Sequence, residues 1–119
     1  MQGGEEMPFI QINTSEKISV QQEEDLRVKI GQHISLLPDK TEDWLMMELC
    51  GERKMFFRGQ TAPCAMIAVS LYGKAPVEAY AALTAALSGT VNQVLGIPSE
   101  NIYVKYQETE YWGWNGANF

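Results

Sequence analysis

Apolar and polar positions change period along the chain from two to between three and four, return to two, and then run through the same cycle again. Residues 9–13 alternate apolar and polar, the period of a half-buried strand. Ser19 and Gln22 match the S-x-x-Q capping box and predict a helix starting near Ser19. Leu26, Ile30, Ile34 and Leu37 then form one helical stripe, which Pro38 ends. After a polar connector, residues 44–49 read as a second strand. In the second cycle, residues 66–72 are rich in strand formers and Gly73 offers a turn. Pro76 suits a first helical turn, and Tyr80, Leu83, Leu87, Val91 and Val94 line one helix face. Gly96 is placed as a left-handed cap, Pro98 blocks continuation, and residues 102–107 alternate as a fourth strand.

The pattern predicts an α+β fold of two tandem βαβ units: a four-stranded sheet with two helices on one face. Each helical crossover lets its two strands lie parallel, with a right-handed connection. Met66, Ala68, Ser70 and Tyr72 alternate with Ile67, Val69 and Leu71, so both faces of the third strand carry apolar groups. A sheet with an uncovered apolar face predicts an oligomer. Two stretches fall outside the repeat. The connector 50–63 holds Met55, Phe56 and Phe57, which predicts packing back on the domain or on a neighbour. Residues 111–119 carry four aromatics, the mark of a docked tail.

Composition narrows the chemistry. The 119 residues hold 15 acids and nine bases, a net charge of −6 that disfavours phosphate backbones and anionic lipid, so neither nucleic acid nor membrane is expected as a partner. Cys50 and Cys64 make no disulfide framework and fit a reducing compartment. With His33 as the one histidine, no metal site is expected. No apolar run reaches the ~20 residues of a membrane span, and the acidic first ten residues do not read as a signal peptide.

Met7-Pro8-Phe9-Ile10, Pro63-Cys64-Ala65, Gly73-Lys74 after a strand, and Trp112-Gly113-Trp114-Asn115 together resemble the macrophage migration inhibitory factor family of tautomerases. The resemblance covers residues 7–119 and implies a homotrimer whose sheets face a central channel. It also implies an N-terminal proline catalyst, needing no cofactor, and Pro8 matches that residue. Inside a chain proline nitrogen is an amide. At a chain end it is a secondary amine, and α-amino groups titrate near pH 8. Apolar surroundings and nearby cations lower that value further, leaving a base for keto–enol tautomerisation.

Pro8 is preceded by seven residues, which divide the chain into an extension, 1–7, and a domain, 8–119. Residues 2–6 can be encoded as CAA GGA GGA GAA GAA, a purine-rich ribosome-binding sequence just before an ATG for Met7. On that reading translation starts at Met7, whose removal frees Pro8. The alternative is a genuine acidic extension.

The resemblance assigns further residues. Lys40 aligns with a lysine that holds a substrate carboxylate, and Tyr72 with a position whose backbone N–H binds substrate. Tyr103 matches a tyrosine contributed across the subunit interface. Lys105 departs from the family, where the best-known members have an asparagine; it makes the pocket more cationic and leaves the family's preference for phenolic substrates an open question here. Phe9, Trp44, Trp112 and Phe119 align with pocket-lining positions. Lys40 and Lys105 beside one amine suit small anionic keto or enol acids such as phenylpyruvate, so a phenylpyruvate tautomerase or dopachrome isomerase activity is implied. A cytokine-like module that binds a protein receptor through a vestigial pocket is the alternative. Cys64-Ala65-Met66-Ile67 lacks the second cysteine of a C-x-x-C segment, which removes support for thiol–disulfide activity. Of Arg27, Arg53 and Arg58, none takes a confident site position. The expected location is cytoplasmic, or outside the cell by export without a signal peptide.

Overall fold

A computed structural model describes residues 7–119, so the expectation for residues 1–6 lies outside the described residues. The first cycle gives strand β1 (Pro8–Thr14), helix α1 (Val20–His33) and strand β2 (Met46–Cys50). The second gives β3 (Ala65–Tyr72), α2 (Val77–Leu95) and β4 (Ile102–Thr109), followed by a two-stranded hairpin of β5 (Gly113–Trp114) and β6 (Ala117–Asn118). The four long strands form one sheet in the order β2-β1-β3-β4. Each βαβ pair is parallel, and β1 and β3 meet antiparallel in the centre. The two-unit α+β architecture is therefore the observed one.

Local chemistry sets the helix ends. Ser19 Oγ accepts from Gln22 N–H at 3.1 Å, while Gln22 Oε1 accepts from Ser19 N–H at 2.9 Å, completing the capping box. Gly96 closes α2 at φ +73°, a left-handed conformation that costs glycine little. The stripe of α1 outlasts the α-helix itself: Ile34–Leu36 tighten into a 3₁₀ turn before Pro38, which keeps Ile34 and Leu37 buried. Pro76 caps α2 rather than entering it.

The core lies between the helices and one sheet face. Ile10, Ile12, Ile67, Val69 and Leu71 meet Leu26, Ile30, Leu83, Leu87 and Val91, all at most 1% exposed. Each such side chain contributes roughly 1.5–3 kcal/mol by leaving water. Polar links tie the helices together above that core: His33 Nε2 lies 2.8 Å from Thr90 Oγ1, and Lys29 Nζ donates to Gln93 at 3.1 Å. The alternation along β3 is strict, so Met66, Ala68, Ser70 and Tyr72 occupy the opposite face, which no helix among the described residues covers. Cys50 and Cys64 are buried free thiols. Among the described residues no helix is long and apolar enough to cross a membrane.

Two differences from the expected elements concern the site. Trp44 does not begin β2 but ends a 3₁₀ turn, Glu42–Trp44, whose hydrogen bond from Leu45 N–H to Glu42 O delays the strand to Met46. In the 50–63 connector, Phe57 packs against Tyr103 but Phe56 stands 71% exposed.

Candidate functional site

Pro8 sits at the start of a central strand, where the lack of a ladder donor does least harm. It is buried and stands opposite Leu71, and Phe9 stands opposite Ser70 on one side and Met46 on the other. Pro8 and Phe9 open onto a cleft of about 370 Å³ that Met7, Asp43, Trp44, Met46, Trp112 and Trp114 also line. Trp44 and Trp114 meet edge to face, with centroids 5.2 Å apart and planes at 87°. This contact fastens the C-terminal hairpin to the turn before β2, so the tail is docked as the sequence predicts. It is also an attractive arrangement, because the positive edge of one ring faces the negative face of the other.

A second, smaller cleft of about 140 Å³ is lined by Pro38, Asp39, Lys40, Tyr72, Gly73 and Lys74. Its first wall is a turn. Lys40 N–H donates to Leu37 O at 3.1 Å, and Asp39 takes φ +65° after Pro38. A proline followed by a positive φ is the signature of a type II turn, and aspartate tolerates that conformation better than most side chains. The turn carries Lys40 inward, leaving the residue 4% exposed. The second wall is the end of β3. Its ladder with β1 stops at Pro8 and Leu71, one residue short of Tyr72, while the ladder with β4 continues to Tyr72 and Thr109. The Tyr72 ring packs on that of Phe119, with centroids 5.6 Å apart, so the last residue of the chain closes over this end of the sheet.

Pro8, Phe9, Trp44 and Trp112 thus share one cleft, Lys40 and Tyr72 share another, and Phe119 lies against Tyr72. Tyr103 and Lys105 do not join them within one chain. They pair with Met66 and Ala68, whereas the row that contains Pro8 and Leu71 ends at Glu108. Five residues of strand separate Tyr103 from Glu108, about 16 Å. Both side chains lie exposed on the face that the helices leave open. Asp43 and Trp114 line the first cleft and Lys74 the second, although the sequence assigned none of the three a role there. Lys74 had a signal in its place directly after the Gly73 turn, and Trp114 in its Trp-Gly-Trp setting. Arg58 is exposed at a turn and holds its guanidinium 5.2 Å from the Phe57 ring centroid, away from both clefts.

The shifted pKa values among the described residues lie outside these two clefts. Burial, with the Glu108 carboxylate that accepts its hydrogen bond at 2.7 Å, pushes Tyr80 up to about 12. Burial also pulls His33 below the usual histidine range, helped by the nearby Lys29 charge. Among the described residues no three His, Cys, Asp or Glu side chains gather as a metal site.

A family model for macrophage migration inhibitory factor matches residues 7–119. Among solved structures, the Leishmania major protein MIF2 is 32% identical, with 95% of this chain and 97% of that one covered at a TM-score of 0.89. A macrophage migration inhibitory factor homologue from Prochlorococcus marinus is 27% identical, with coverages of 93% and 98% and a TM-score of 0.85. A more distant neighbour in fold, a protein inactivated by 2-oxo-3-pentynoate, is 21% identical over 85% of each chain, with a TM-score of 0.73. A comparison with curated proteins found no match.

Proposed function

The chain belongs to the macrophage migration inhibitory factor family, and on that premise we propose that it is a keto–enol tautomerase of small carboxylated enols, with the free amine of Pro8 as its acid–base group. The observation that carries this reading is the position of Pro8: buried at the head of β1, on an aromatic cleft, with its partner strand leading into the Lys40 cleft. The family match begins at Met7, which supports a working protein whose domain starts at Pro8.

With phenylpyruvate as substrate, Lys40 binds the carboxylate and the Tyr72 backbone amide adds a hydrogen bond. The neutral Pro8 amine takes the proton from the enol oxygen, and the resulting ammonium returns a proton to the neighbouring carbon, which leaves the ketone and the free amine. The reverse reaction passes through the same enolate. Hydrogen-bond donors fixed in a site with little water stabilise such an enolate more than water does. Phe9, Trp44, Trp112 and Phe119 hold the aromatic end. Tyr103 and Lys105 enter from a second subunit of a homotrimer, which is also how a face left bare by both helices becomes covered. That a distant neighbour in fold is inactivated by a 2-oxo acid agrees with a site for this ligand class.

Absorbance of the enol at equal protein concentration tests the reading, with chains beginning at Pro8 and at Met1 and a Pro8→Gly variant. Activity confined to the Pro8 form and lost in the variant is expected; equal activity in all three excludes the amine. One observation favours a second reading, a cytokine-like binding module with a silent pocket: Met7 is 3% exposed and lines the same cleft as Pro8, so in the longer chain the Pro8 nitrogen is an amide and Met7 takes part of the cleft wall. Receptor binding without activity in any form would support it.

A further inference from the structure

Asn115-Gly116 is the one Asn-Gly pair in the chain, and it forms the tip of the β5–β6 hairpin. Both residues lie exposed at positive φ, +54° and +81°, between the paired Trp114 and Ala117. This is the backbone of a two-residue type I′ turn, for which Asn-Gly is a preferred pair. The same pair carries a chemical liability. Gly116 has no side chain to shield its amide nitrogen, which reaches the Asn115 side-chain carbonyl carbon whenever the turn opens.

The hairpin is short enough to open. Each strand has two residues, and two pairs hold them, Gly113 with Asn118 and Trp114 with Ala117. A lone two-stranded hairpin is marginal in water, so the tip leaves its turn while the rest of the domain stays folded. Contacts with the site keep the hairpin down. Trp114 meets Trp44 edge to face at 5.2 Å, Phe119 packs on Tyr72 at 5.6 Å, and Phe119 N–H donates to Trp112 O at 3.1 Å. Trp112, Gly113 and Trp114 line the Pro8 cleft and Tyr72 lines the Lys40 cleft, so one turn shapes a latch that touches both.

We propose that Asn115 is a site of spontaneous deamidation and that its isoaspartyl product releases this latch. A base takes the Gly116 amide proton, the nitrogen bonds to Asn115 Cγ, and the Cγ–Nδ2 bond breaks, Nδ2 leaving as ammonia. Water then opens the cyclic imide. Attack at Cγ gives aspartate with the ordinary main chain, and attack at the backbone carbonyl gives isoaspartate, whose main chain runs through Cβ and Cγ. Nothing is oxidised or reduced. Aspartate keeps the turn, because Asp-Gly is also a type I′ pair. Isoaspartate lengthens the loop, and loop length sets the register of a hairpin, so Trp114 loses its pairing with Ala117 and its place against Trp44. The consequence for catalysis rests on the Pro8 reading; the modification and the release do not.

Incubation of the full chain at mildly alkaline pH tests the site. Ammonia should be released, and tryptic peptide 106–119 should gain the mass of –OH in place of –NH2, with an isoaspartyl linkage mapped to residue 115. Mildly acidic pH should slow this. Asn115→Gly keeps a type I′ pair and forms no imide, so it should stay unmodified. All three tryptophans, Trp44, Trp112 and Trp114, line the Pro8 cleft, so indole fluorescence reports on the latch. It should change in step with the isoaspartyl fraction at constant far-ultraviolet circular dichroism, and stay close to native in incubated Asn115→Gly and fresh Asn115→Asp. In the chain beginning at Pro8, the isoaspartyl form should raise KM for phenylpyruvate roughly two- to tenfold, the loss of one ring pair. If Asn115 stays intact under conditions that convert a synthetic peptide of residues 111–119, the site is overturned. Isoaspartate formed with indole fluorescence unchanged overturns the latch. An inactive Pro8 chain that deamidates and changes fluorescence as expected counts against the Pro8 reading and leaves this inference standing.

Discussion

The indole of Trp114 stands at 87° to that of Trp44, 5.2 Å away, and joins the C-terminal hairpin to the turn that leads into β2. Residues 70 positions apart in the sequence meet here at one cleft, which Pro8 also lines. An edge-to-face pair contributes about 0.5–1.5 kcal/mol beyond the area it buries. Trp114→Ala is therefore expected to raise KM for an aromatic enol acid by roughly two- to tenfold. Steady-state kinetics with phenylpyruvate and with an aliphatic 2-oxo acid checks this, and the aliphatic acid should be affected less.

Lys40 and Lys74 share the smaller cleft, but only Lys40 is carried inward by the turn at Pro38. A charge-assisted hydrogen bond contributes about 1.5–3 kcal/mol, so Lys40→Met is expected to raise KM for phenylpyruvate roughly ten- to a hundredfold. Its methyl ester should lose far less. Equal losses for acid and ester would refute the carboxylate role. Lys74→Met, at an exposed position, should change KM for the acid much less.

Burial, helped by the nearby Lys29 charge, lowers the pKa of His33, whose Nε2 lies 2.8 Å from Thr90 Oγ1. Its folded-state pKa lies below the unfolded value near 6.5, so below that pH the unfolded chain binds the proton first. Stability from this group is complete above about pH 6.5 and falls as the pH drops toward the folded pKa. Urea unfolding between pH 5 and 7.5 should show that slope, and His33→Gln should flatten it.

The capping box at Ser19 joins two backbone donors to two side-chain acceptors at the start of α1. Ser19→Ala removes one acceptor and is expected to cost about 1 kcal/mol, read as a lower urea midpoint with an unchanged slope.

These positions also mark how far the sequence could be read. The Ser19–Gln22 pair, the Leu26–Ile30–Ile34–Leu37 stripe and Gly96 are local patterns, and each sits where its pattern predicts. Trp44 does not, because the alternation of its segment is equally compatible with a strand and with a turn entering one. The Thr41 and Glu42 carbonyls, which accept from Trp44 and Leu45, decide for the turn. The two clefts are less legible. Lys40 and Tyr72 lie 32 positions apart and meet only through the fold, and a motif match alone brought them to notice. Lys74 and Trp114 stand inside the matched motifs and Asp43 in none, yet neither periodicity nor a motif marks which side of a turn a side chain lines, so their places on the clefts come from the fold.

One nitrogen atom carries the functional account, and its state can be measured directly. The amine of a chain beginning at Pro8, labelled with ¹⁵N, should titrate below the ordinary α-amino range near 8, and phenylpyruvate tautomerisation should rise with the fraction of neutral amine. The account predicts that coincidence and no activity when Met7 remains attached. Activity that is unchanged with Pro8 in peptide linkage, or that rises over a pH range where this nitrogen does not titrate, would contradict it.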